Sequence, residues 1–282
     1  MASNMACVGL DVPDVAALNA LLSDIWPQTA VVAEAGGVEV RRWEDASGAR
    51  SVLAMRDGHA ERFMPSFAGT PCATLRDVFA LTDEVSAADV LMDGETATRM
   101  AIELEERDLV RGRSVAGEAS IVMLGTGVEV FADEGTFMRS PASLLTPGME
   151  PEGEPPPDLA RHRIAWPLRV AAESIMSVGL FSSSFGGTAT TTAEARMAGT
   201  VLTAERRTVE VTGQSFVVAR VRCIGFEADL CLPAPADGSV PEPGNVIAGD
   251  VFVVGSLRVD EAPDRSSPGL RASIGRALGR HR

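Results

Sequence analysis

SFVVARVRCIGFEADLCLP, residues 215–233, is the stretch whose reading decides the fold. If Ile224 and Gly225 form a two-residue turn, counting outward pairs Cys223 with Phe226, Val221 with Ala228, Ala219 with Leu230 and Val217 with Leu232 on one apolar face. The other face then sets Arg222 opposite Glu227 and Arg220 opposite Asp229. A slip of one residue would carry the charges into the core, so a single register is specified. The favoured two-residue turns want φ > 0 at the first position, which β-branched Ile224 resists, and this leaves room for a bulged or longer turn.

Working upstream, Val211-Thr212-Gly213-Gln214 reads as the preceding reversal and pairs Glu205 with Arg220 and Leu202 with Cys223. That register puts Arg206 on the apolar face, so a β-bulge is expected from Glu205 to Arg207. Downstream, Val251, Val253 and Leu257 alternate with Asp250 and Ser256 in a closing strand from Asn245 to Val259, entered through Pro243-Gly244. A long first strand, a hairpin and a late closing strand resemble the plan of a small OB-type barrel. The resemblance spans roughly a quarter of the chain and implies a fold, not a ligand.

With 282 residues, 45% of them apolar, and a formal net charge of -14, the chain reads as an acidic, folded protein able to bury a large core. Acidity argues against a general binder of nucleic acid or anionic membrane, both of which call for a basic field. Its 25 cationic residues are all Arg, a bias that a GC-rich genome produces without selection for recognition. Cys7, Cys72, Cys223 and Cys231 are spaced like neither a zinc nor a redox motif and read as free thiols. No apolar run approaches the ~18 residues of a membrane helix, and no secretory leader is evident, so a cytoplasmic location is expected.

Toward the N-terminus, Ala6 to Val12 reads as a strand, and Pro13 opens a helix with the stripe Val15, Leu18, Leu22 and Ile25. Strands follow at Ala30 to Glu34, Val38 to Trp43 and Arg50 to Met55. This β-α-β-β-β order resembles one module of the vicinal-oxygen-chelate (glyoxalase-like) fold, whose first strand usually supplies a metal ligand; this chain has Cys7 there and no His. Val85 to Met92 and Thr96 to Glu105 flank Asp93-Gly94 as a hairpin, and Glu118 to Leu124 and Val128 to Phe131 read as two strands parted by Gly125-Thr126-Gly127. The expected fold is α+β and predominantly antiparallel β. It comprises an N-terminal sheet domain (1–146), a Pro/Glu-rich linker (147–160), an OB-like β domain (161–260) and a basic amphipathic tail (261–282).

Chemistry-bearing groups are sparse. His59, His162 and His281 sit in no catalytic motif, no ligand spacing suggests a metal, and no cofactor is expected. Glu173-Ser174 in an apolar run is the candidate for a carboxylate of raised pKa, with capping as the plainer reading. Ser182 to Gly187 could form an anion nest or a simple linker. Glu103, Glu105 and Glu106 read as a solvated strand end. In the tail, Leu270, Ile274 and Leu278 recur every four residues among arginines, so Arg271, Ile274, Arg276, Leu278 and Arg280 are the candidate docking residues for a protein partner. The leading expectation is a non-enzymatic binding or adaptor protein. Two readings stand beside it: an enzyme of glyoxalase-like topology, and a single-strand nucleic-acid binder using Phe216, Phe226, Arg220 and Arg222.

Overall fold

A computed structural model describes residues 3–110, 114–145, 161, 166–182 and 191–259. The linker at 147–160 and the tail, with Arg271, Ile274, Arg276, Leu278 and Arg280, lie outside these residues. Helix α1 (Val15–Ile25) is capped by Asp14, whose side chain accepts the Ala17 N–H at 2.8 Å. It leads into an antiparallel meander of β1 (Ala30–Ala35), β2 (Val38–Glu44), β3 (Ala49–Arg56) and β4 (His59–Phe67). There follow β5 (Ala73–Ala80), β6 (Ser86–Met92), β7 (Glu95–Leu104), the short α2 (Arg107–Val110) and the long β8 (Val115–Phe131). The last group is α3 (Glu134–Arg139), β9 (Ser174–Met176), α4 (Val178–Ser182), β10 (Glu194–Thr208), β11 (Ser215–Cys223), β12 (Phe226–Pro233) and β13 (Val246–Val259). The protein is thus mostly antiparallel β with a few short helices.

The hairpin of β11 and β12 keeps the register read from its sequence, from Cys223 opposite Phe226 to Val217 opposite Leu232. Gly225 takes φ 80° while Ile224 does not have a positive φ, so the glycine absorbs the conformation that isoleucine resists and no extra residue is needed. The pairing of β10 with β11 departs from expectation by two residues: Arg220 faces Thr203, and the bulge falls between Val201 and Thr203. The cause is a longer loop, closed where Val209 N–H donates to Gln214 O at 2.9 Å. A shift of two preserves the faces. At the Asp93-Gly94 hairpin both central residues take positive φ, 51° and 83°, as a type I′ turn requires.

Nine strands form one sheet in the order β11-β12-β8-β5-β6-β7-β13-β10-β9, and two further pairings, β10 with β11 and β8 with β13, close it on itself twice. One ring is β5-β6-β7-β13-β8; the other is β10-β11-β12-β8-β13. Each contains a single parallel contact, β7 with β13 and β12 with β8 respectively. The antiparallel β8–β13 pair, running from Phe131 opposite Val246 to Gly117 opposite Val259, is the wall between them. Strands on both sides of residues 147–160 therefore belong to one hydrogen-bonded sheet.

One continuous core fills both rings, with Leu75, Met100, Ile102, Ile121 and Met123 meeting Val221, Leu230, Ile247 and Val253. A second core lies between the small sheet and the rings, where Val40, Val52, Met64 and Phe67 pack against Val122, Leu124, Val218, Cys231 and Val254. Strand β8 is covered on both faces, which is why Ile121 to Leu124 reads as an unbroken apolar run.

Two expectations about the strands need correction. Residues 125–127 do not separate two strands; they form a bulge inside β8, opposite the step from Asp250 to Phe252. Ala6 to Val12 is not a strand, because Ala6–Val8 is a single 3-10 turn in which the Met5 carbonyl accepts from both Val8 and Leu10. Cys7, Val8 and Leu10 are all fully buried as a plug in the second core, whereas an alternating strand would expose every other residue. The β-α-β-β-β order is accordingly absent, and the helix is followed by four strands. Helix α1 buries Leu21 and Ile25, while Val15 is 72% exposed.

Candidate functional site

The face of the small sheet that meets the rings is not wholly apolar. Its cross-strand register puts Arg42, Val52 and Met64 in one row, Glu44, Arg50 and Ser66 in the next, and Arg62 opposite Ala54. Against this face lies the end of β7 and the turn after it, Glu103-Leu104-Glu105-Glu106-Arg107-Asp108.

Glu105 is fully buried. Its Oε2 accepts from Arg42 Nη1 at 3.0 Å, and its Oε1 accepts from Arg50 Nη1 at 3.2 Å and from Ser66 Oγ at 2.7 Å. Three strands of the small sheet thereby converge on one carboxylate. Arg62 adds hydrogen bonds to the carbonyls of Leu104 and Glu105, each at 3.3 Å. Glu106 turns the other way, accepting from Ser256 Oγ at 3.0 Å and from the Leu257 N–H at 2.8 Å on β13. Burial, and after it the neighbouring Glu105 charge, push its pKa from 4.5 up to about 6. Glu103 is pushed further, to about 7, chiefly by burial and also by Glu84, with Arg62 and Arg107 pulling the other way.

Two cavities flank this turn. The larger, about 470 Å³, is walled by Arg42 and Arg50 from the small sheet and by Glu106, Glu118, Ser120 and Arg258 from the rings. The smaller, about 220 Å³, holds Arg62, Glu84 and Glu103 beside Met64, Leu124 and Phe252.

The expectation that Glu103, Glu105 and Glu106 form a solvated strand end is overturned, because Glu105 and Glu106 are buried between the small sheet and the rings and Glu103 is half-buried beside them. The readable signal was on that sheet: Arg42, Arg50 and Arg62 occupy the same parity as Val40, Val52 and Met64, a face that otherwise goes inward. Glu173 is not a carboxylate of raised pKa. Arg222 Nη2 lies 2.8 Å from it and holds its pKa below the usual value. Arg222 thus pairs with Glu173 rather than with Glu227 opposite, while Arg220 bridges Glu227 at 3.1 Å and Asp229 at 3.3 Å. Ser174 Oγ donates to the Ala171 carbonyl at 2.8 Å. Phe216 and Phe226 are both buried.

His59 is exposed at the start of β4, and His162, His281 and residues 183–187 fall outside the described residues. Cys7, Cys223 and Cys231 are buried free thiols and Cys72 is a half-buried one. Among the described residues no three or more of His, Cys, Asp and Glu are grouped to hold a metal ion, and no helix is long and apolar enough to cross a membrane. Comparison with protein-family models, with curated proteins and with solved structures found no match.

Proposed function

We propose that this is a cytoplasmic binding protein without chemistry of its own, an adaptor whose basic tail docks on a protein partner. The observation that carries the reading is how Glu105 and Glu106, the two buried carboxylates of the β7 turn, are used. Glu105 and Glu106 direct their oxygens to hydrogen bonds that fasten separate strands together, Glu105 to β2, β3 and β4 and Glu106 to β13. Groups engaged in this way hold a scaffold, and a reactive acid or base would need a free edge toward a substrate.

The strand order adds support. In the first ring β5, β6, β7, β8 and β13 have neighbours 1-2-3-5-4-1, strands 3 and 5 parallel, and a helical turn between strands 3 and 4, an order that supports reading it as OB-like. The second ring has the same neighbour pattern with β8 and β13 exchanging places. OB-type barrels include oligonucleotide- and oligosaccharide-binding modules, so the plan supports a binding role by analogy of fold alone. The single-strand nucleic-acid reading is disfavoured, since Phe216 and Phe226 are buried and Arg220 and Arg222 are paired with acids.

The test is affinity capture from native extract with the full chain beside a version ending at Asp264, partners being identified by mass spectrometry. A partner kept only by the full chain supports the tail as the docking element. Identical captures from both forms, or steady turnover of a substrate by the purified protein, would overturn the reading.

A further inference from the structure

We propose that the cavity between the small sheet and the β7 turn binds a small zwitterion, its carboxylate held by Arg42 and Arg50 and its cationic nitrogen by Glu118, with the charge of the structurally bonded Glu106 beside it. The inference stands apart from the adaptor reading, because the tail takes no part in it.

Both arginines are held in place from behind. Glu105 accepts one Nη1 from each, so both guanidinium groups are fixed at the cavity wall by a carboxylate that solvent does not reach. Arg42 makes no other hydrogen bond to a described residue, and its side chain is 25% exposed. Arg50 also binds Glu44 through Nε at 2.7 Å, which leaves its Nη2. A planar guanidinium that lines a cavity and keeps N–H groups beyond those its anchoring carboxylates use, as Arg42 and Arg50 both do, suits a carboxylate. It is also already ordered, so a ligand bears little of that entropy cost.

The opposite wall has the other sign. Glu106 and Glu118 line it with the hydroxyls of Ser120 and Ser256. Among the described residues Glu118 meets only Arg258, at 3.1 Å on an exposed rim. The cavity wall carries three cationic groups, Arg42, Arg50 and Arg258, and two acids, Glu106 and Glu118, while Glu105 and Glu44 offset the two inner arginines from outside the cavity. A simple anion would lie beside the two acids without offsetting them, and a simple cation would leave the Arg42 edge unused. A molecule with both charges satisfies both walls, and about 470 Å³ suits a compact one.

The full-length protein is titrated calorimetrically with ω-amino acids from glycine to 6-aminohexanoate, and with the matching carboxylates and amines that carry only one charge. At least one zwitterion should bind tenfold or more tightly than either of its one-charge counterparts. Arg42→Gln and Glu118→Gln should each weaken it by about tenfold or more. Glu118 lies at the rim with 55% of its side chain exposed, so its variant tests the site with little risk to folding. Affinity should also fall below about pH 6, where Glu106 takes up a proton in the company of Glu105, Arg42, Arg50, Glu118 and Arg258. No zwitterion binding better than its one-charge counterparts, or binding unchanged in both variants, would overturn the proposal. Neither result bears on partner capture by the tail.

Discussion

Glu105 has no exposed surface and carries two guanidinium groups and a hydroxyl on its two oxygens. Truncating it leaves Arg42 and Arg50 facing each other with less compensation, so Glu105→Ala should cost about 3–5 kcal/mol, read as a lower urea midpoint. Glu103 and Glu106 give stability a pH dependence of definite sign. Their folded pKa values, about 7 and about 6, lie above the ordinary 4.5, so the folded state binds these protons more tightly. Their contribution is whole below pH 4.5 and is lost as pH rises through 6 and 7. With about 1.4 kcal/mol for each tenfold change in proton affinity, Glu103 alone accounts for on the order of 1–3 kcal/mol between pH 5 and pH 8. Glu103→Gln should flatten that part of the profile; an unchanged slope would contradict the assignment. Little of this was legible residue by residue. Arginines of inward parity hinted at buried acids, but nothing in the sequence says that Arg42 and Arg50 reach a carboxylate some sixty residues away.

Among the elements, legibility followed the strength of the alternation. The β11–β12 register was readable because a slip would have buried Arg220 and Arg222, and the β6–β7 hairpin because Asp-Gly suits its turn. Where burial lies on both sides the pattern fails, which is why Cys7 to Leu10 reads as a strand and folds as a plug. Two glycines of positive φ can be compared, Gly94 in the β6–β7 turn and Gly249 on β13 beside the β8 bulge. Gly94 takes φ 83° with nothing within 4 Å of the place a Cβ would occupy, so Gly94→Ala should cost only the conformational term, about 1–2 kcal/mol. Gly249 takes φ 143°, and a Cβ there would lie 2.2 Å from the Gly127 carbonyl oxygen in the facing strand. Gly249→Ala should lower the melting temperature by clearly more than Gly94→Ala does. Equal shifts would mean that the wall between the rings yields easily.

For the molecule as a whole, the decisive contacts are those that close the rings. Each closing parallel contact involves two or three residue pairs, too few to leave a periodic signal, so the sharing of β8 with the strands after residue 160 was invisible in the sequence. Because one core fills both rings, they should unfold together. Met100→Ala in the first ring and Leu230→Ala in the second should each cost about 2–5 kcal/mol and move one common transition, followed by circular dichroism and by tryptophan fluorescence. Two separate transitions would show that the rings are independent. The shared wall has a further effect on how the chain is born. Because β13 belongs to both rings, everything made earlier on the ribosome waits for residues 246–259 before either ring can close. Until then the nascent chain carries open edges on β7, β8 and β10, and its dependence on chaperones during synthesis should be greatest just before β13 emerges.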